Sequence, residues 1–219
     1  MFQYILFDLD GTLTNPKIGI TKCVQYALMS LGIEEQNLDK LEPFIGPPLT
    51  DSFEQFYGLS KEQTDLGVKK YRERFSAVGL YENEMYPGID TMLRVLSERG
   101  IQLAVASSKP EIFVEKILEH FKIREYFSVV VGSELDGRRV QKEEVVKEAL
   151  RRLGISASKK ANPACAMVGD RKFDVEGAQA MRLVSVAVTY GFAQGDELVL
   201  AKPDYIVQTV DELQRILLQ

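Results

Sequence analysis

Two aspartates spaced two residues apart, Asp8 and Asp10, close the apolar run Tyr4-Ile5-Leu6-Phe7 and precede Gly11. If the chain stays extended there, residues two apart point to one side, so both acids face a common site while Leu9 returns to the core. Gly11 then permits a tight turn. Two crowded carboxylates are unfavourable unless a cation compensates or one of them holds a proton. Both remedies suit phosphoryl transfer. Mg²⁺ takes oxygen ligands from one or two carboxylates plus a substrate phosphate. Asp8 can then attack phosphorus, while a protonated Asp10 gives its proton to the leaving alkoxide and later takes one from the hydrolytic water. The plainer alternative is that the two acids cap a turn.

Three later positions fit the same chemistry. Ser107, at the end of an apolar run and before a predicted helix start, offers a hydroxyl and nearby free N–H groups for a phosphate oxygen. Taken alone, it reads equally as a helix cap. Lys142, opening a predicted helix, is a compact charge that can offset negative charge in a transition state; its alternative is a solvated lysine, and Lys147 is a second candidate. Asp170 follows Ala164-Cys165-Ala166-Met167-Val168-Gly169, and Asp174 lies one helical turn on, where it can also cap. His120, the one histidine, has no acid or serine in a recognisable arrangement, which removes a Ser/His/Asp hydrolase and a histidine-rich metal site.

Elements must bring these residues together. Apolar runs rich in β-branched residues at 4–7, 101–106, 129–131, 164–168 and 183–188 read as buried parallel strands. Helical patterns at 89–98, 111–121, 142–153 and 174–181 separate them, and a weak strand (205–207) and a helix (210–218) close the chain. This alternation predicts an α/β fold, a Rossmann-like doubly wound parallel sheet. Ligands of such sheets bind beyond the carboxyl ends of the strands. Residues 15–82 break the pattern with helices at 18–31 and 61–78, joined through a rigid Gly46-Pro47-Pro48 turn. They are expected to form a small all-helical cap domain inserted into a core of residues 1–14 and 83–219.

With 219 residues and 45% hydrophobic content, the chain can bury a core without staples. A net charge of −5 gives no pull toward a nucleic acid polymer or an anionic membrane. Cys23 and Cys165 are expected to be reduced thiols, and the short first apolar run cannot span a bilayer, so a cytoplasmic monomer or homodimer is expected.

The segment Asp8-Leu9-Asp10-Gly11-Thr12-Leu13 resembles the first motif of the haloacid dehalogenase superfamily. Val105-Ala106-Ser107-Ser108-Lys109-Pro110, Lys142, and Met167-Val168-Gly169-Asp170-Arg171-Lys172-Phe173-Asp174 resemble the second, third and fourth, in order. The resemblance implies a Mg²⁺-dependent phosphatase acting on a small phosphorylated metabolite through an aspartyl phosphate. It implies Asp8, Asp10 and Asp170 at the metal, Asp174 in support, and Gly11, Ser107, Ser108 and Lys142 at the phosphate. Glu143-Glu144 departs from the family's frequent proline after the lysine. Gly46-Pro47-Pro48-Leu49 resembles the cap loop of phosphoglycolate phosphatase-like members. Gly132 to Gly137, Gly169-Asp170-Arg171 and Tyr190-Gly191-Phe192 are similar to bacterial 5′-nucleotidase-like members. A nucleoside 5′-monophosphate is therefore the first substrate expectation and phosphoglycolate the second, with a mutase of the β-phosphoglucomutase type sharing the motifs. A dehalogenase needs neither Asp10 nor Asp170, and a receiver-like signalling module would not need the helical insert.

Overall fold

The computed structural model describes residues 2–155 and 162–219. Two compact units emerge: Met1–Thr14 with Met85–Gln219, and Asn15–Glu84.

The first unit opens with β1 (Tyr4–Phe7), and the chain leaves it through β2 (Thr14–Asn15). The second unit is helical. It holds α1 (Lys17–Ser30), a 3-10 helix over Leu38–Phe44, α2 (Leu49–Tyr57) and α3 (Lys61–Arg74), which runs on as a π turn over Phe75–Gly79. Sequence periodicity did not pick out α2, a nine-residue helix. The Gly46-Pro47-Pro48 turn leads straight into it. Ser60 and Gln63 form a capping box that fixes where α3 begins. Phe44 packs edge-on against Phe53 at 5.1 Å, giving this unit an aromatic core of its own.

The chain returns through β3 (Glu84–Met85), which pairs with β2. There follow α4 (Ile89–Glu98), β4 (Gln102–Pro110), α5 (Glu111–His120), β5 (Phe127–Ser133), α6 (Lys142–Arg152), β6 (Asn162–Gly169), α7 (Lys172–Ala180), β7 (Leu183–Val188), α8 (Glu197–Ala201), β8 (Tyr205–Val207) and α9 (Val210–Leu217). The six-stranded sheet has the order β5-β4-β1-β6-β7-β8, and every pairing is parallel. Counted within this unit the order is 3-2-1-4-5-6, the doubly wound arrangement in which the second and third strands lie on one side of the first and the last three on the other. The predicted fold class is the one observed.

Strand alternation divides the core. Leu6, Ala104, Ala106, Val131, Cys165 and Met167 pack with Val145, Val146, Ala149 and Leu150 of α6 and Ala178 of α7. Their alternate neighbours Ile5, Phe7, Leu103, Val105, Ala166 and Val168 are buried as well. Strands covered on both faces carry near-continuous apolar runs, which is why they were visible in the sequence. Cys23 and Cys165 are both buried free thiols. Among the described residues, no helix is long and apolar enough to cross a membrane.

Ion pairs fix α6 in place. Arg152 donates to the Val130 carbonyl at 2.8 Å and to Glu111 at 3.0 Å, and Glu148 accepts from Arg151 at 2.7 Å and from Arg152 at 2.9 Å. The Arg151 hydrogen bond chiefly, opposed by burial and reinforced by Arg152, lowers the Glu148 pKa from 4.5 to about 2. A carboxylate depressed in the folded state contributes stability above its unfolded pKa and loses it as pH falls through the folded one. Glu148→Gln is therefore expected to lower the thermal midpoint at neutral pH, with the gap to wild type narrowing as pH drops from 4.5 toward about 2. A gap of constant size across that window in calorimetric scans contradicts this account.

Candidate active site

β1 is flanked by β4 and β6, with Phe7 level with Val105 on one side and Val168 on the other. The residues just beyond these positions therefore meet at one edge of the sheet. The Asp8 N–H continues the ladder to the Val168 carbonyl at 2.9 Å. Asp8 has the parity of Leu6, so its side chain emerges on the face covered by α6 and α7. Its Oδ1 accepts the Leu9 N–H at 2.7 Å, and its Oδ2 lies 3.0 Å from Lys142 Nζ.

Lys142 is the first residue of α6, and its side chain is 5% exposed. Besides Asp8, its ammonium meets Asp174 Oδ1 at 2.8 Å and donates to the Ala106 carbonyl at 3.1 Å. Lys147, the other candidate, is exposed. Two glycines leave the space this requires. A Cβ on Gly177 of α7 would lie 2.9 Å from Lys142 Cγ, and one on Gly169 would lie 2.0 Å from Asp174 Cγ. Asp174 also accepts the Arg171 N–H at 3.0 Å. The capping alternative and the site alternative thus hold together for this residue.

Asp170 is fully buried, accepting the Phe192 N–H at 2.7 Å and the Thr12 hydroxyl at 3.3 Å. Gly11 turns the chain with φ +81°, and a Cβ there would sit 2.1 Å from Asp170 Oδ2. Both the backbone angle and the space call for glycine.

Asp10 occupies a different environment. It was expected beside Asp8 and Asp170 at the metal, yet its carboxylate is tied to Lys109 Nζ, 2.7 Å from Oδ1 and 2.5 Å from Oδ2. The third acid of the buried cluster is instead Asp174: Asp8, Asp170 and Asp174 each offer an oxygen, all within 4.8 Å of one another. Lys109 carried no assigned role in the sequence. β4 has an irregular register between Ala106 and Pro110, so alternation alone did not say which way that lysine faces. Ser107 also differs from expectation. Strand β4 continues to Pro110 and α5 begins only at Glu111, so no helix amides surround Ser107. Its buried hydroxyl instead accepts the Lys109 N–H at 3.4 Å. Ser108 is half-buried beside it. His120 is exposed at the end of α5.

The electrostatics follow from the crowding. Burial first, then Asp174 and Asp8, push the Asp170 pKa well above its ordinary value. Burial also raises Asp174 to about 6 despite Lys142. For Asp10 burial likewise raises the pKa, with Lys109 pulling the other way. Burial works against the Lys142 charge, but Asp174 and Asp8 outweigh it and raise its pKa. Three carboxylates against one ammonium leave two negative charges when all are ionised. A buried trio of hard oxygen donors with that deficit fits a divalent cation.

The sequence pattern of the haloacid dehalogenase-like hydrolases matches residues 5–188. The chain belongs to this family. A 5′-nucleotidase of Pseudomonas aeruginosa is 44% identical over 99% of this chain and 96% of its own length. The tyrosine-protein kinase PtkA of Mycobacterium tuberculosis is 34% identical over 98% of this chain and 72% of its own. The crystal structure of a predicted phosphatase from Clostridium acetobutylicum superposes with a TM-score of 0.93 at 44% identity, over 100% of this chain and 99% of that one. Family and phosphatase relatives together make this haloacid dehalogenase-like chain a phosphatase.

Gly11→Ala should leave the sheet folded while displacing Asp170. A misplacement of about 1 Å costs on the order of 100-fold in rate, so p-nitrophenyl phosphate turnover should fall by about that factor. Turnover within roughly two-fold of wild type would show that the close approach is dispensable.

Proposed function

We propose that this phosphatase is a Mg²⁺-dependent phosphomonoester hydrolase that works through an aspartyl phosphate on Asp8, with nucleoside 5′-monophosphates as its first substrate class. The observation that carries the reading is the buried trio Asp8, Asp170 and Asp174 with the Lys142 ammonium paired to Asp8 and Asp174. The three carboxylates would hold Mg²⁺, which supplies positive charge between an anionic nucleophile and an anionic ester. The 44% identity to a 5′-nucleotidase over nearly the whole chain supports the substrate class. We read Asn15–Glu84 as the family's cap domain.

The chain's own groups divide the work. Asp8, held by the Leu9 N–H and Lys142, uses one carboxylate oxygen to attack phosphorus. The ester P–O bond breaks, and Asp10 passes its proton to the departing alkoxide oxygen. The Asp10 carboxylate, steadied by Lys109, then takes a proton from water as the water oxygen attacks phosphorus. The acyl phosphate bond breaks, releasing inorganic phosphate and restoring Asp8. To Ser107, Ser108, Lys142 and the Gly11 turn we assign the reception of the phosphoryl oxygens, whose charge the Lys142 ammonium would balance.

Phosphate release should be greater from nucleoside 5′-monophosphates than from phosphoglycolate, and EDTA should suppress it until Mg²⁺ is restored. The reverse ranking overturns the substrate class, and full activity in EDTA overturns the metal requirement. Asp8→Asn should abolish turnover and trapping of radiolabelled phosphate on the protein; near-normal rates in that variant would end the covalent mechanism.

A further inference from the structure

Arg171 and Glu197 form a buried ion pair that the chemistry above leaves unused. Arg171 Nε donates to Glu197 Oε1 at 2.6 Å, Nη2 reaches Oε2 at 3.4 Å, and the side chains are 7% and 11% exposed. Taking two charges out of water is costly before their attraction is counted. A fork geometry with this much burial specifies position more than it adds stability.

What it positions can be followed along the chain. Arg171 directly succeeds Asp170, and its N–H holds Asp174. Glu197 opens α8, at the far end of the loop that follows β7. That loop lies against Asp170. The Phe192 N–H donates to Asp170 Oδ2 at 2.7 Å, and a Cβ on Gly191 would lie 2.4 Å from that same oxygen and from the Gly11 carbonyl. The Tyr190 hydroxyl donates to the Thr12 carbonyl at 3.0 Å. The loop is tied at its start by the Thr189 N–H to the Val207 carbonyl at 3.0 Å. At its end, the Glu197 N–H bonds the Gln194 carbonyl at 3.1 Å, while the Glu197 carboxylate reaches back to Arg171. The ion pair therefore braces the loop against the strand end that carries Asp170.

We propose that Glu197 is a positioning residue for the cation site: through Arg171 it sets the 189–196 loop, whose Phe192 N–H fixes the orientation of the Asp170 carboxylate. This inference rests on the cation reading given above. Partners one step removed from a metal ligand typically change metal affinity by roughly 10- to 100-fold when removed. A carboxylate free to rotate must be ordered again on each binding event, and the loss falls on affinity.

The test is Mg²⁺ titration of the purified protein by calorimetry, together with the Mg²⁺-induced rise in thermal midpoint. Glu197→Gln should weaken Mg²⁺ binding by roughly 10-fold, and Arg171→Met with Glu197→Met should weaken it no more than either alone. A Glu197→Gln protein of lower thermal midpoint but wild-type Mg²⁺ affinity would mean the pair is merely structural, and overturns the proposal. If Glu197→Gln does not fold, Arg171→Lys, which keeps the charge but loses the fork, is titrated in its place: a similar loss supports the proposal and an unchanged affinity overturns it. Wild-type protein that binds no Mg²⁺ sinks the cation reading itself, whereas equal affinity in wild type and variant sinks this inference alone.

Discussion

Like charge held at close range in a dry place is the constraint around which this core is built. Asp8, Asp170 and Asp174 gather within 4.8 Å of one another under nearly complete burial, and Lys142 is the ammonium set among them. Left to themselves, such acids take up protons or unfold their surroundings. The remaining features read as ways of holding them. Gly11 and Gly169 remove side-chain bulk where the carboxylates press against backbone. The Leu9, Arg171 and Phe192 amides each give one carboxylate a fixed donor.

The sheet delivers these groups without any one segment holding them all. Because β1 sits between β4 and β6, three strand ends converge where the winding reverses, and Asp8, Ser107 and Asp170 arrive from three separate stretches of chain. The helices then add what the strands cannot. α6 presents Lys142 from its first turn and α7 presents Asp174 from its first turn. Gly177 lets the Lys142 stem pass close to α7. Asp10, only two residues from Asp8, is paired with a further cation, Lys109. Two carboxylates that look equivalent on paper therefore have different partners, as unlike roles require.

Legibility in the sequence followed the range of the interaction. Strand runs such as Tyr4–Phe7 and Leu183–Val188 are local and apolar on both faces, so they, the alternation with helices and the doubly wound sheet could all be read. The positions of Asp8 and Asp170 at strand ends were legible for the same reason. What escaped depended on register or on distant partners. Lys109 meets Asp10 across 99 residues and past an irregular stretch of β4. Asp174 was placed in support of the metal site by the resemblance, but the close packing of α7 on Gly169 that brings it among the acids is not announced by its place in the sequence. Ser107 was expected near a helix start because the apolar run ends at Ala106; pairing with β5 carries the strand on through the polar residues to Pro110.

The two-residue repeat of β1 ties reactivity to packing in a single register. Leu6 and Asp8 share a face, so one residue gained or lost within Tyr4–Phe7 would turn the leucine outward from its α6 and α7 neighbours and carry the acid to the opposite side of the sheet. Insertions and deletions there are barred by folding and by chemistry at once. The stretch between Thr14 and Met85 makes its own compact body, so a change of length inside it leaves the register of β1 untouched.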